Sequence, residues 1–129
     1  MNIYGIGTDI VNIKRIRNSI QKNKKKFKKR IYTDFEIKTC EKRKKNNTEC
    51  FAKRFAAKEA FVKALGTGFR DNINFNSISI LNDNKGKPYI KCEKSLNKKI
   101  KVLKKKKKLN VFLSLADEKD YSLAFVIIQ

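Results

Sequence analysis

The alternation of apolar and polar positions predicts one long helix in the middle of the chain, from Phe51 to Leu65. Most of its residues are Ala, Leu, Lys, Glu or Arg, which favour the helical conformation. One face of this helix carries the apolar residues Ala52, Phe55, Ala56 and Val62. Thr48 stands just before the helix as a candidate N-cap, and Gly66 follows it as a stop signal. We expect this helix to be the central element of the fold.

The first ten residues have the period of a β-strand. One face carries Ile3, Gly5, Gly7 and Asp9, and the other carries Tyr4, Ile6, Thr8 and Ile10. We predict that the second face is turned to the core, and that the glycine face lies against a ligand or another stretch of backbone. Asp9 is then either a ligand-facing carboxylate or the cap of a helix that runs from Val11 to about Gln21.

Local signals also place a helix before the central one and a hairpin after it. Thr33 and Glu36 match a capping box, which begins a helix that runs to about Lys45. After the central helix, apolar residues recur among polar ones in residues 73–80, and a turn leads back into residues 88–92. We predict that these two segments pair as a β-hairpin.

The last third of the chain predicts a short helix and two more strands. Ser95 is a candidate cap for the helix, and the lysine run 104–108 is expected to be a surface loop. The strands are Val111 to Leu115 and Tyr121 to Ile128; the second is apolar on both faces, which indicates burial against another subunit. Residues 1–129 are therefore predicted to form a single α+β domain with a mainly antiparallel sheet.

The charge of the chain is extreme, at +21 for 129 residues. Such a charge indicates a polyanionic partner: nucleic acid, an acidic protein surface or a phosphorylated ligand. A coding sequence rich in A and T would also raise the number of lysines, since Lys, Asn and Ile are all heavily used. No apolar run is long enough to span a membrane, and no signal peptide is visible.

The cysteine and histidine content limits which metal sites and catalytic groups the chain can form. The three cysteines, Cys40, Cys50 and Cys92, are odd in number and form no C-x-x-C pair, so neither a disulfide framework nor a zinc site is expected. This usage fits a reducing compartment. The chain has no His, which excludes histidine triads, histidine bases and histidine metal sites. A metal ion would therefore be held by carboxylates, which favours Mg²⁺ or Mn²⁺.

Charged side chains on the central helix indicate a binding site. Glu59 lies at the edge of the apolar face with Lys63 one turn away, and Arg54 and Lys58 are also one turn apart. A half-buried carboxylate among three cations, followed by the loop Gly66-Thr67-Gly68, suits a metal ion together with a phosphate group. The alternative is a solvated helix face, because such pairs are common and contribute only about 0.2–0.5 kcal/mol each.

Several segments together resemble a known family. They are Gly5-Ile6-Gly7-Thr8-Asp9-Ile10-Val11, Arg54-Phe55-Ala56-Ala57-Lys58-Glu59-Ala60 with Lys63 and Gly66-Thr67-Gly68, Gly86-Lys87-Pro88, and Ser114-Leu115-Ala116-Asp117-Glu118. Because it contains all of these segments, the chain resembles the holo-[acyl-carrier-protein] synthases, the small type of 4′-phosphopantetheinyl transferase. The resemblance extends over nearly the whole chain.

The resemblance implies an activity and an assembly. Members of the family move the 4′-phosphopantetheine arm of coenzyme A to a serine hydroxyl of apo acyl carrier protein, in fatty acid biosynthesis, and release adenosine 3′,5′-bisphosphate. They share the 4′-phosphopantetheinyl transferase fold and form homotrimers with active sites at the subunit interfaces. The family holds Mg²⁺ with the Asp and Glu that match Asp9 and Glu59 here.

The residue types fit this reaction. Splitting a pyrophosphate requires stabilisation of negative charge, which a hard cation on two carboxylates provides without histidine. Glu59 and Lys63 are the predicted catalytic residues; Lys63 would neutralise charge on the transferring phosphate, and the general base is either Glu59 or a metal-bound water. The predicted coenzyme A ligands are Arg54, Lys58, Gly66, Thr67, Gly68 and Lys87. Acyl carrier proteins are acidic, so the predicted docking residues are the cations Arg15, Lys22, Lys25 and Lys29.

Two positions depart from the family pattern, and one rival function remains. Relatives often carry His where Phe112 stands, and some carry His at Asp117, so contacts from the last hairpin to coenzyme A are in doubt. The rival is a basic nucleic-acid-binding module without catalysis, but no recognisable nucleic-acid-binding motif is present. We therefore expect neither a nucleic-acid nor a membrane partner. The expected location is the cytoplasm, or the plastid stroma if a transit peptide has been removed.

Overall fold

The computed structural model describes residues 2–105 and 108–129. The helices are α1 Ile13–Lys22, α2 Lys24–Ile31, α3 Asp34–Glu41, α4 Asn47–Leu65 and α5 Lys94–Lys104. The strands are β1 Gly5–Asn12, β2 Ile78–Asn82, β3 Pro88–Cys92, β4 Val111–Asp117 and β5 Tyr121–Ile128, and a short 3₁₀ turn, Phe75–Ser77, precedes β2. Part of the lysine run predicted to be a loop, residues 106–107, lies outside the described residues.

Two antiparallel sheets surround the central helix. Strands β1, β5 and β4 form one sheet in that spatial order, and β2 with β3 forms the separate predicted hairpin. The 19-residue helix α4 packs along β1 and β5. The α+β class, the antiparallel pairing and the long central helix are therefore confirmed. No helix among the described residues is long and apolar enough to cross a membrane.

The glycines of β1 allow α4 to lie directly on this strand. A Cβ atom at Gly7 would stand 1.9 Å from the carbonyl oxygen of Ala60, and one at Gly5 would stand 1.9 Å from that of Ala64. The expected close approach of another backbone is thus confirmed, but the predicted core side of β1 is wrong. Ile6 and Ile10 face outward and are 54% and 62% exposed, because the helix occupies the glycine side.

The outer face of the three-stranded sheet is apolar and uncovered in a single chain. On β5, Ser122, Ala124, Val126 and Ile128 are buried against the interior. The other side of the sheet exposes Ile6, Ile10, Phe112, Tyr121, Leu123 and Phe125. We call this set the outer apolar face. It includes one side of β5, the strand whose two apolar faces predicted burial against another subunit.

Helix ends differ from the sequence prediction in detail. The capping box is confirmed: Glu36 N–H donates to Thr33 Oγ1, and Thr33 N–H donates to Glu36 Oε1 at 2.9 Å. Helix α3 ends at Glu41, and α4 begins earlier than predicted, with Asn46 as N-cap in the left-handed region. Asn12, rather than Asp9, caps α1. Local capping chemistry thus identifies the helices but places their ends only approximately.

A disulfide joins α3 to α4, contrary to the prediction from the cysteine count. Cys40 and Cys50 are both fully buried, and their sulfur atoms are bonded. An odd number of cysteines and the lack of a C-x-x-C pair carry no information about which helix ends meet. Here the last turn of α3 and the first turn of α4 bring the two Cα atoms to 5.5 Å, within the range a disulfide requires.

Candidate active site

Asp9, Glu59 and Lys63 meet where β1 crosses α4. Lys63 Nζ donates to Asp9 Oδ1 at 2.9 Å and to the carbonyl oxygen of Thr8 at 3.0 Å. Burial and the neighbouring Asp9 carboxylate raise the pKa of Glu59, while Lys63 and Arg15 oppose that rise. The side chains predicted from the sequence to form the metal and catalytic set are therefore neighbours, because the two glycines of β1 admit the helix.

The two carboxylates have the chemistry of a Mg²⁺ site. Hard oxygen donors suit this ion, which usually keeps water and substrate phosphate oxygens in its remaining positions. Among residues 2–105 and 108–129, no group of three or more acidic, His or Cys side chains could hold a metal. Asp9 and Glu59 could thus supply two oxygen ligands and leave the other positions to a phosphate and water. The raised pKa of Glu59 beside Asp9 fits this, since a cation would relieve the repulsion.

A large open cavity of about 1060 Å³ borders Glu59. We call it the catalytic groove. Its cationic lining comes from α1 and α2, and consists of Arg15, Lys22, Lys26 and Arg30. Its apolar lining includes Phe27, Phe55, Phe69 and Phe75, of which Phe69 and Phe75 stack with ring centroids 3.7 Å apart. The groove can therefore receive an acidic, partly apolar surface.

Of the four predicted docking residues, two line the catalytic groove. Arg15 and Lys22 do so, whereas Lys25 and Lys29 are exposed on α2 and are not part of its lining. Their helical neighbours Lys26 and Arg30 line it instead. Residues 24–30 of the sequence are nearly all basic and were not predicted to form a helix, so the side of α2 that faces the groove could not be chosen.

Lys58, predicted to bind a nucleotide phosphate, lies in the core instead. Its side chain is 0% exposed, and its Nζ donates to Glu36 Oε1 and to the carbonyl oxygen of Ile31, each at 2.6 Å. The ammonium also lies 5.3 Å from the ring centroid of Tyr32. Burial lowers the pKa of Lys58, and Glu36 opposes that change. This correction could not be found from helix spacing, because Glu36 is distant in sequence and looked like a capping residue only.

Arg54 lies in a second cavity, of about 390 Å³, which we call the basic pocket. Its four cations are Arg43, Lys53, Arg54 and Lys87. The Arg54 guanidinium is largely buried; Nη1 donates to the carbonyl oxygen of Cys50 and Nη2 donates to Asn82 Oδ1. Burial lowers the pKa of Arg54. Arg54 and Lys87 were predicted as ligands of coenzyme A, and the structure brings them together with Arg43 and Lys53, which the sequence analysis missed.

The loop after α4 is shaped by its glycines. Gly66 and Gly68 have φ of 74° and 60°, in the left-handed region where glycine is favoured. The amides of Thr67 and Gly68 both donate to the carbonyl oxygen of Val62, at 3.2 and 3.3 Å. These amides therefore close the helix end. The prediction that this loop binds coenzyme A is not supported for the two amides, because they already have a partner. A Cβ atom added at either glycine would meet no atom within 4 Å, so it is the backbone conformation that favours glycine here.

The catalytic groove and the basic pocket lie on different sides of α4. Arg54 and Glu59 are five residues apart, which places their side chains about 140° apart around an α-helix. Among the described residues, none lines both cavities. The cations of the basic pocket and Glu59 of one chain therefore do not face a common space.

Comparison with known proteins identifies the family over nearly the whole chain. A sequence model of the 4′-phosphopantetheinyl transferase superfamily matches residues 5–126. The holo-[acyl-carrier-protein] synthase of Pelagibacter ubique is 46% identical over 129 residues, covering 100% of this chain and 98% of its own. The crystal structure of holo-[acyl-carrier-protein] synthase from Neisseria meningitidis is 42% identical, with a TM-score of 0.89 over 99% of each chain.

A second solved structure contains a ligand. The holo-(acyl-carrier-protein) synthase of Bacillus anthracis, in complex with CoA (3′,5′-ADP), is 34% identical with a TM-score of 0.80, over 98% of this chain and 96% of that one. Both the sequence and the fold agree with these relatives over nearly the whole length. The chain belongs to the 4′-phosphopantetheinyl transferase superfamily.

Proposed function

We propose that this chain transfers the 4′-phosphopantetheine arm of coenzyme A to a serine hydroxyl of apo acyl carrier protein. The observation that carries the proposal is the meeting of Asp9, Glu59 and Lys63 beside an open groove lined by cations. The named relatives of similar length support the same reaction and the same donor. The products are holo acyl carrier protein and adenosine 3′,5′-bisphosphate.

The chemistry of the step follows from these side chains. The serine oxygen forms a bond to the phosphorus that carries the arm, and the bond from that phosphorus to the bridging oxygen of the pyrophosphate breaks. Mg²⁺, held by Asp9 and Glu59, would supply stabilisation of the negative charge that develops on the phosphate oxygens. Lys63 adds a positive charge next to Asp9 and holds that carboxylate in place.

Glu59 is suited to accept the serine proton. Its carboxylate is half-buried beside Asp9 and Lys63, at the edge of the catalytic groove. The serine arrives on the carrier protein, through the catalytic groove that Glu59 borders.

Coenzyme A would place its nucleotide phosphates in the basic pocket. Arginine and lysine side chains converging on one space form a site for a phosphate group. Since this pocket and Glu59 lie on different sides of α4, one molecule of coenzyme A would use the groove of one subunit and the pocket of another. The contacts of Gly66, Thr67 and Gly68 with coenzyme A stay predictions; they would not use the amides of Thr67 and Gly68, which bond to Val62.

The outer apolar face supports an assembly in which sites form between subunits. It exposes six large apolar side chains on one sheet, and exposed patches of this kind typically mark an interface between proteins. We propose a homotrimer in which this face is buried. The mass of Phe125→Lys measured by light scattering tests it: loss of the trimer is expected, with Val102→Lys on α5 as an exposed control. A wild-type monomer would contradict the assembly.

An acidic carrier protein would dock on α1 and α2. Arg15, Lys22, Lys26 and Arg30 line the groove, with Lys25 and Lys29 on the neighbouring exposed surface. Charge pairing of this kind mainly speeds encounter and weakens with salt. We therefore expect charge reversal at Arg15 and Lys22 to raise the KM for carrier protein and to leave the KM for coenzyme A unchanged. A cytoplasmic location and a role in fatty acid biosynthesis stay predictions.

The deciding experiment is the intact mass of an apo acyl carrier protein after incubation with this chain, coenzyme A and Mg²⁺. We expect a gain equal to one phosphopantetheine arm, lost on addition of a chelator. Glu59→Gln should remove the gain while it leaves the circular dichroism spectrum unchanged, and the exposed Glu93→Gln should keep it. Normal turnover in Glu59→Gln would refute the assigned role of this carboxylate.

A further inference from the structure

One carboxylate stands among the cations of the basic pocket. Asp117, the last residue of β4, lines the pocket with its side chain 43% exposed. Its Oδ1 lies 3.6 Å from Lys53 Nζ. Asp117 is the only acidic residue among those that line this pocket, within the part of the chain that the structure describes. The pocket therefore contains its own counter-ion for one of its four cations.

A carboxylate in this position competes with a bound phosphate. The phosphate groups of a nucleotide are dianionic or nearly so at neutral pH, and each needs the lysine and arginine side chains that converge here. The negative charges of the phosphate and of Asp117 repel each other at short range. Asp117 also forms an ion pair with the ammonium group of Lys53, which the phosphate would otherwise contact. A phosphate entering the pocket must therefore displace the carboxylate from Lys53 and tolerate its charge nearby.

We propose that Asp117 is a competing internal counter-ion for Lys53, which weakens the binding of the coenzyme's nucleotide phosphates and speeds release of the nucleotide product. The inference rests on the proposed function, because it takes coenzyme A as the ligand of the basic pocket. The product adenosine 3′,5′-bisphosphate keeps the phosphates that bind here, so the affinity that captures coenzyme A also retains the product. Asp117 limits this retention, because the ion pair between Lys53 and Asp117 forms again as the product leaves.

The geometry favours this role over a structural one. The pair is partly exposed, with Lys53 at 24% and Asp117 at 43% of side-chain exposure, and exposed ion pairs contribute little to stability. The backbone of Asp117 is already held by the pairing of β4 with β5, opposite Ser122. Removing the charge from Asp117 should therefore change ligand binding far more than folding.

The test is calorimetric titration of adenosine 3′,5′-bisphosphate into the wild-type chain and into Asp117→Asn. We expect the variant to bind about one-and-a-half- to fivefold more tightly, the factor that one exposed ion pair typically represents. The gain should shrink as salt is added, because it is electrostatic. Asp120→Asn, an exposed aspartate in the same β4–β5 turn that does not line the pocket, should bind like wild type.

Two further measurements separate the pocket from general charge effects. The ligand 4′-phosphopantetheine carries no nucleotide, so its affinity should be the same in Asp117→Asn and wild type. In a Lys53→Gln background, the gain from Asp117→Asn should be smaller, since the contested cation is absent. Equal tightening for 4′-phosphopantetheine, or an undiminished gain without Lys53, would overturn the proposal.

Failure of this inference and failure of the proposed function are distinguishable. If the wild-type chain modifies the carrier protein but Asp117→Asn binds the bisphosphate no more tightly, the role of Asp117 is refuted and the function stands. If the wild-type chain neither modifies a carrier protein nor binds the bisphosphate, both are refuted.

Discussion

Replacing Lys58 with Met should destabilise the protein without removing a ligand contact. Sequence spacing assigned this lysine to a nucleotide phosphate, whereas the structure buries it against Glu36. The Glu36 carboxylate also accepts hydrogen bonds from the amides of Thr33, at 2.9 Å, and Ile80, at 3.1 Å. In Lys58→Met those amides remain, but the carboxylate charge stays buried without its cation.

The magnitude follows from the burial of both partners. Both side chains are 0% exposed, and removing one partner of a buried ion pair typically costs about 3–5 kcal/mol. In a domain of this size each kcal/mol lowers Tm by about 3–5 °C, so we expect a fall of about 10–25 °C. Such a loss is a large fraction of the 5–15 kcal/mol that usually separates folded from unfolded domains.

Thermal unfolding of Lys58→Met and Lys63→Met is the matched assay. Both remove a lysine from α4, but Lys63 is 53% exposed, so its loss should leave Tm nearly unchanged while it abolishes transfer. A Lys58→Met variant with wild-type Tm and weakened binding of coenzyme A would refute the buried pair and restore the assignment made from the sequence.

The pH dependence of Glu36→Gln provides a second check of the same pair. Burial lowers the pKa of Lys58 below its ordinary value of 10.5, and loss of Glu36 should lower it further. Between the lowered pKa and 10.5 the unfolded chain binds more protons than the folded one, so stability rises with pH across that window. We expect Glu36→Gln to recover part of its lost Tm as the pH is raised toward 10; a recovery on acidification would contradict the burial of Lys58.

Three other predictions concern the strand–helix contact and the cysteines. Gly7→Ala should lower Tm strongly and reduce transfer, because its Cβ would stand 1.9 Å from the Ala60 carbonyl oxygen; an active variant of normal Tm would argue against the contact. Replacing both Cys40 and Cys50 with Ser should cost about 2–3 kcal/mol in denaturant unfolding, the entropy of closing so short a loop, and unchanged stability would count against the disulfide. Burial raises the pKa of the Cys92 thiol to about 12. At pH 8 iodoacetamide should therefore label no thiol in the native chain, one thiol after unfolding, and three after unfolding with reductant. Rapid labelling of the native chain would contradict the burial of Cys92.

Short-range patterns in the sequence determined most of the secondary structure. The helix α4 and its glycine stop, the capping box of α3 and the β2–β3 hairpin all depend on residues within a few positions of each other, and the structure contains each of them. The same holds for the residue types of the site. Without histidine, an Asp on a glycine-rich strand and a Glu with a Lys one turn later already indicated a carboxylate-held cation.

Only the tertiary structure decided which side of each element is used. The alternation of residues on β1 does not show which face of the strand α4 covers. The helix covers the glycine face, because only glycine lets the helix backbone come this close to the strand. Likewise, i,i+4 spacing could not separate Lys58, which is buried against Glu36, from Lys63, which contacts Asp9, because each partner is more than twenty residues away. Contacts between distant residues depend on how the helices and strands pack together. A local sequence pattern predicts the type of an element, but it does not show which other elements will lie against it.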